Sequence, residues 1–466
     1  VRARGERRGR GKPRPLLGAQ RGKRARLVMA RVLFISPYYP PEKGAASVCV
    51  SENAKRLVQR GHRVTVLTTV PNYPTGIVPP HYRGKLLQRE VIDGVDVVRA
   101  WSYTSPNKGF LRRILAQLSF GCLAPWLGNK AVGQPDLIIV QSPPLFDAIA
   151  ARTLARIKHC PFIFMVSDLW PESAVQLGAL HHPLLIRLSE WLEWSTYRRA
   201  SLVWVVTEGI RAHLQRRGLA DERIMLLTNG VDTERFTPMP LALARARLGW
   251  DERFTVLYAG THGLSHGLTT ILDAAERLRE REDIHIVLAG DGAEKAALVE
   301  QARQRNLTNI TFYEPLSHDL VPTLVCAADA CLVHVRKNIA VFDGMLPIKM
   351  IEAMACGRPI LLGIGGEARR VADHEARAAL SFEQENAESL ANGILYLSEH
   401  REYTNLLGRN GRTFAEAIFS YDHLVDALDE RIRELLGETS VATQCIAPAD
   451  DASMVGAMMH GNKIVR

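Results

Sequence analysis

Asn229-Gly-Val-Asp-Thr-Glu-Arg-Phe236, with Pro238 and Pro240 just behind it, decides the fold, because the sequence on either side repeats one pattern. Upstream, short apolar runs recur at 30–36, 62–69, 96–101, 136–141, 161–167 and 202–207, with helical stretches such as 48–59 between several of them. Gly61 closes that helix with the residue type that best adopts a left-handed terminus. Downstream the cycle restarts, with runs at 254–259, 284–289, 310–312, 330–335 and 359–362. Strands that alternate with helices argue for parallel sheets covered on both faces. The prediction is an α/β protein of two Rossmann-like, doubly wound parallel-sheet domains.

A length of 466 residues suits two domains of about 200 residues. The expected boundaries are an arm over 1–28, a first domain over 29–210, a linker over 211–240 and a second domain over 241–420. A helix over 421–437 carries Leu424, Leu428, Ile432 and Leu435 on one stripe and should pack back on the body. A loose tail is expected over 438–466.

The net charge of +10 has a local origin. Residues 1–28 hold eleven Lys and Arg against the single acid Glu6, so residues 29–466 are neutral. Such an arm suits nucleic acid or anionic lipid, but Met29 directly precedes the first apolar run. A natural start at Met29, or a disordered arm, is therefore the expectation, and no nucleic-acid partner is assigned. The arm has no apolar stretch of signal-peptide length, and the seven cysteines form no C-x-x-C pair. Both point to a reducing cytoplasm. No metal site and no bound cofactor is expected.

Ligands of open parallel sheets gather at the carboxyl ends of strands. There the first half places Pro37-Tyr-Tyr-Pro-Pro-Glu-Lys-Gly-Ala-Ala-Ser47, in which Gly44 lets backbone approach an anion or simply makes a turn. The second half places Ala259-Gly-Thr-His-Gly-Leu-Ser-His-Gly267 and Gly290-Asp-Gly-Ala-Glu-Lys295 at strand exits. Gly290 and Gly292 lack the third glycine of a dinucleotide fingerprint. In Pro347-Ile-Lys-Met-Ile-Glu352, Lys349 and Glu352 share a helix face, as a diphosphate-and-ribose site or as an i, i+3 ion pair. Asp168-Leu-Trp-Pro-Glu-Ser173 ends an apolar run with two carboxylates and Trp170, as a site or as a helix start capped by Asp168 or Ser173.

Taken together these segments resemble glycosyltransferase family 4, in particular its O-antigen, capsule and colanic-acid branch. The features that carry the resemblance are Ser36–Gly44, Arg60-Gly-His-Arg-Val-Thr-Val66, Pro71-Asn-Tyr-Pro-Thr-Gly76, Asp168–Ser173, Asn229–Asp232 with Phe236, Gly290–Gly292, and Pro347–Glu352 followed by Gly357-Arg-Pro359. The resemblance implies a GT-B fold with a cleft between the domains and metal-independent transfer with retention. It implies a nucleotide-sugar donor, expected to be a UDP-sugar, on the second domain and a lipid-linked saccharide acceptor on the first. The enzyme would then be cytoplasmic and peripheral to the inner membrane of a bacterium.

Carried over by position, Gly44, Gly260, His266, Gly290, Lys349 and Glu352 would bind the donor, and Asp168 would lie beside the reacting sugar. The sequence departs from the family at three positions. Gly344 stands where the first of two paired glutamates belongs, with Asp343 adjacent but not equivalent, and Thr261 and His266 stand where basic residues usually follow the Gly260 loop. That leaves Lys349, with Arg336 or Lys337, to meet the diphosphate. A nucleotide-sugar 2-epimerase of the same fold is the competing enzyme class.

Over 108–128, Phe110, Leu111, Ile114, Leu115, Leu118 and Cys122 form a stripe beginning among Lys108, Arg112 and Arg113, followed by Trp126. Periodicity alone suits core packing, and the resemblance suits an interfacial helix that meets the acceptor at the membrane. Arg112, Arg113 and Trp170 are the acceptor and membrane candidates.

Overall fold

Runs such as Leu137–Ser142 and Phe162–Val166 are apolar along almost their whole length, which suits strands covered on both faces. The computed structural model describes residues 29–42, 44–73, 75–104, 110–176 and 178–442. The arm over 1–28, Lys108 and the tail beyond residue 442 lie outside the described residues, as do the side chains of Phe110 and Leu111.

Among the described residues fourteen strands form two sheets. The first contains β1 (Arg31–Ile35), β2 (Arg63–Thr69), β3 (Leu87–Ile92), β4 (Val95–Ala100), β5 (Leu137–Ser142), β6 (Phe162–Val166), β7 (Leu202–Val205) and β8 (Ile224–Leu226), in the order β3-β4-β2-β1-β5-β6-β7-β8. The second contains β9 (Phe254–Ala259), β10 (Ile284–Ala289), β11 (Ile310–Tyr313), β12 (Ala330–His334), β13 (Ile360–Gly363) and β14 (Ala379–Ser381), in the order β11-β10-β9-β12-β13-β14. The helices used below are α1 (Ala45–Gln59), α2 (Phe110–Gly128), α3 (Asp147–Lys158), α4 (Pro183–Arg199), α5 (Glu208–Arg216), α6 (Ile348–Ala355) and α7 (Tyr421–Ala442). None of the described helices is long and apolar enough to cross a membrane.

Every pairing is parallel except β3 with β4. That hairpin turns on Asp93 and Gly94, both at positive φ (51° and 77°), the backbone that matches the twist of two adjoining strands. β3 alternates exposed and half-buried residues along the sheet edge, so it carries none of the continuous apolar signal of its neighbours. The segment read as a linker over 211–240 needs correction. It contains most of α5, whose first turn is capped by the Thr207 hydroxyl accepting from the Ile210 N–H at 3.2 Å, and all of β8. β8 is the last strand of the first sheet and α5 belongs to the same domain, so the true crossing begins after Leu227.

The C-terminal helix packs back as its stripe predicts. Leu424, Val425, Leu428 and Ile432 are buried in the core of the first domain, not the second. Polar residues fix its register. His62 accepts from the Ala30 N–H at Nδ1 (3.2 Å), which leaves Nε2–H to donate to Asp429 (2.8 Å). Arg60 reaches Asp426 at 2.7 Å, and Arg56 bridges Asp422 and Asp232 at 3.2 and 3.5 Å. The two chain crossings also pair with each other: Val231 N–H donates to Phe419 O (2.8 Å) and Tyr421 N–H to Val231 O (3.2 Å). Truncating the fully buried Leu428 to Ala should destabilise the first domain by about 2–5 kcal/mol, read as a lower midpoint in urea unfolding. The half-buried Leu435 should tolerate the same change better.

Candidate functional site

Because all strands but β3 run parallel within their sheets, each sheet gathers its strand-exit loops on one edge, and the two edges face each other. Two adjoining cavities of about 390 and about 840 Å³ lie there, with Ala45, His266 and Ile348 lining both.

The smaller cavity brings together Gly44, Gly260, His266, Gly290, Lys349 and Glu352. Gly44 sits at the N-terminus of α1, where unpaired N–H groups and the helix dipole favour an anion. Its φ of 172° is extended backbone, and an added Cβ would meet only Tyr73 Cε1 at 3.6 Å, so the fold does not demand glycine there. Gly260 and Gly290 differ. Their loops are tied by Gly260 N–H to Ala289 O and His262 N–H to Asp291 O, both at 2.9 Å, and a Cβ on Gly290 would collide with the Gly260 carbonyl. Gly290 is thus glycine for the sake of loop packing, whatever it lines.

Lys349 and Glu352 project from the first turns of α6. The ammonium donates to the Tyr258 hydroxyl at 3.0 Å and lies 4.1 Å from the centre of that ring. It is aimed at Gly260, where an added Cβ would come within 2.7 Å of Nζ. Burial lowers the Lys349 pKa to about 8, partly opposed by Glu352. Burial raises Glu352 to about 7, partly opposed by Arg235 and Lys349. Each is left short of a full counter-charge. His266 does not supply one, since burial, with Lys349 nearby, holds its pKa at about 4 and keeps the ring neutral.

The larger cavity holds Asp168 at the exit of β6 together with Glu172, His213, Arg216, Asp343 and Gly344. Burial raises the Asp168 pKa, with hydrogen bonds from Ser173 and the Leu169 backbone opposing. His213 Nε2 stands 3.1 Å from Glu172, yet burial outweighs that carboxylate and lowers its pKa. Gly344 packs against Gly209 at the domain contact, where a Cβ on Gly209 would strike the Gly344 Cα. Beside it the Glu367 carboxylate, from the second domain, accepts from the N–H groups of Glu208 and Gly209 at 2.8 and 2.6 Å and so caps α5 of the first.

Arg336 and Lys337 line neither cavity. Arg336 lies 3.7 Å from Glu294, and the Lys337 backbone donates to Glu385 at 3.0 Å. Arg112 and Arg113 are exposed on α2, and Trp170 faces a third cavity on the first domain. The stripe on α2 is divided, with Ile114 and Leu118 half-buried and Leu115 and Cys122 exposed. Sequence reasoning missed Arg235, which lines the smaller cavity, and His213 and Arg216 in the larger one. Arg235 lies in view within Asn229–Phe236, a segment that marks the domain boundary and carries part of the family resemblance through Asn229–Asp232 and Phe236.

Two family models match the chain in order, a glycosyl transferase 4-like domain over residues 44–230 and glycosyl transferases group 1 over 243–414. The WcaI protein of Escherichia coli, named for glycosyl transfer in colanic acid biosynthesis, is 27% identical over 80% of this chain and 95% of its own. A GDP-mannose-dependent alpha-(1-6)-phosphatidylinositol monomannoside mannosyltransferase of Mycobacterium tuberculosis is 29% identical over 87% and 98%. The solved structure of Anabaena Alr3699/HepE with UDP-glucose shares the fold, with a TM-score of 0.65 at 18% identity over 87% of this chain and 100% of its own.

The two glycines separate experimentally. Gly290→Ala should cost about 1–3 kcal/mol of stability through overpacking against the Gly260 loop. Gly44→Ala should leave the melting temperature of the unliganded protein unchanged.

Proposed function

The chain belongs to glycosyltransferase family 4, and we propose that it transfers a sugar, with retention at the anomeric carbon, from a nucleotide-diphosphate donor to a lipid-linked saccharide of a cell-surface polysaccharide. The observation that carries this reading is the smaller cavity, where a half-buried ammonium, a helix N-terminus and a half-buried carboxylate face one space. Lys349 and the N–H groups at the start of α1 meet the donor diphosphate and take up the charge that grows on it as the sugar leaves. That is the work a divalent cation does elsewhere, and we infer that none is required here. Glu352 accepts from the ribose hydroxyls. Asp168, in the adjoining cavity, faces the positive charge that develops on the sugar.

We assign a UDP-sugar as donor, and a GDP-sugar, as in the name of the mycobacterial relative, is the second arm of the test. The acceptor side is the first domain, with the enzyme on the cytoplasmic face of the inner membrane. The exposed Arg112, Arg113 and Leu115 of α2 support that placement.

Three outcomes are expected. Turnover should persist in EDTA, and loss restored by magnesium or manganese would overturn metal independence. Asp168→Asn should lower kcat by about a hundredfold or more while donor affinity is nearly kept, measured by steady-state kinetics beside a binding titration. Donor affinity should peak between about pH 7 and 8. An anionic diphosphate favours the ammonium, so binding weakens as pH rises through the Lys349 value of about 8. Binding to hydroxyls favours the carboxylate, so affinity falls as pH drops through the Glu352 value of about 7. Calorimetric titration of Glu352→Gln should lose the acid limb, and that of Lys349→Met the alkaline one.

A further inference from the structure

The first domain carries a third cavity of about 890 Å³, remote from the smaller one, between α2, α3 and α4. Its walls are apolar and include Trp126, Trp170, Trp191, Leu118, Leu185 and Leu188. Several stand far into solvent, with Trp126 69%, Trp191 60% and Leu188 53% exposed. Contiguous exposed apolar surface of this kind marks a binding site on a folded protein. Arg152, Arg156 and Arg199 are the charges that line it, and no carboxylate is among the described lining residues. Arg152 donates to the Ser195 hydroxyl at 2.8 Å. Burial, and then Arg199, hold its pKa below the usual guanidinium value, so an anion placed between the two would relieve a repulsion. Apolar walls ringed by cations and free of acids suit an anionic amphiphile.

The groove also borders the larger cavity of the cleft. Phe146 and Trp170 form its inner wall, edge to face at 5.5 Å. The same two loops give Pro143 and Asp168 to the other side. Asp168 and Trp170 are two residues apart, so their Cα atoms are at most about 7 Å from each other. The groove and the larger cavity therefore lie on either side of one short stretch of chain, Asp168–Trp170.

We propose that this groove holds the phosphate-proximal end of the acceptor's lipid and that this lipid is a polyprenyl phosphate, with Arg152, Arg156 and Arg199 on its phosphates and the tryptophans and leucines around its first isoprenoid units. The proposal rests on the lipid-linked-acceptor reading above and adds to it the place where the lipid binds.

Geranylgeranyl phosphate, used below its micelle-forming concentration, is a suitable probe for the full chain, followed by tryptophan fluorescence and thermal shift. Saturable binding is expected, with geranylgeraniol and inorganic phosphate each weaker by about tenfold or more, because neither satisfies both chain and cation. Leu188→Glu and Arg156→Glu, both at exposed positions, should each weaken the probe by about tenfold or more while melting temperature and nucleotide-sugar binding stay unchanged. Unchanged probe affinity in both variants would overturn the proposal, as would equal binding of the alcohol and the phosphate. Binding to phosphatidylglycerol vesicles without binding to the monomeric probe would also overturn it, leaving a plain membrane contact. None of these measurements needs turnover. Their failure would leave the transferase reading standing, and an inactive enzyme that binds the probe through the groove would leave the groove standing.

Discussion

Everything in the cleft depends on a short piece of backbone pairing where the chain crosses between domains twice. Val231 on the outward crossing and Phe419 and Tyr421 on the return are hydrogen-bonded side by side. Two crossings pinned together leave the domains one pivot. Arg412 stiffens it by donating to Phe236 O and Ala355 O, both at 2.7 Å, which ties the outward crossing to the end of α6. Away from the pivot the domains meet again where Glu367 caps α5 and where the Gln176 side chain accepts from the Val341 N–H at 2.9 Å. The facing strand edges are thereby held at the separation that makes two cavities.

Desolvation does most of the electrostatic work inside that space. A lysine depressed to about 8 and a glutamate raised to about 7, three residues apart on one helix, are both shifted by burial toward the neutral form. An ion pair serving only the fold would push the two values apart, toward full charge on each side. Burial pushes these together instead, and the attraction between the two groups opposes it only in part. Perturbation of this kind marks functional sites more often than structural ones.

The parallel strands were legible because burial on both faces writes an uninterrupted apolar run, as in Leu33–Ile35 or Ile138–Val140. β3 was not, since its edge position leaves an alternating and half-polar run, although Asp93-Gly94 was a readable hairpin signal. β8 escaped because three residues carry no period. Gly44, Gly260, Gly290, Lys349 and Glu352 of the smaller cavity stood out as strand-exit glycines and helix-start charges, and the family resemblance singled them out together with His266. Arg336 could not be placed that way. Its neighbour Glu294 is forty-two residues earlier in the chain, and only the packing of two loops brings them together.

The return of α7 to the first core also bears on how the protein is made. Residues Leu424, Val425, Leu428 and Ile432 close the apolar surface of a sheet whose last strand ends at Leu226. At ordinary rates of translation the ribosome needs on the order of ten to forty seconds to pass from that strand to the end of the helix. For that interval the first domain to emerge carries an uncovered apolar seam beside a second domain that is itself folding. The half of the molecule synthesised first is therefore the half completed last, and nascent chains stalled before residue 421 present that seam to the cell's chaperones.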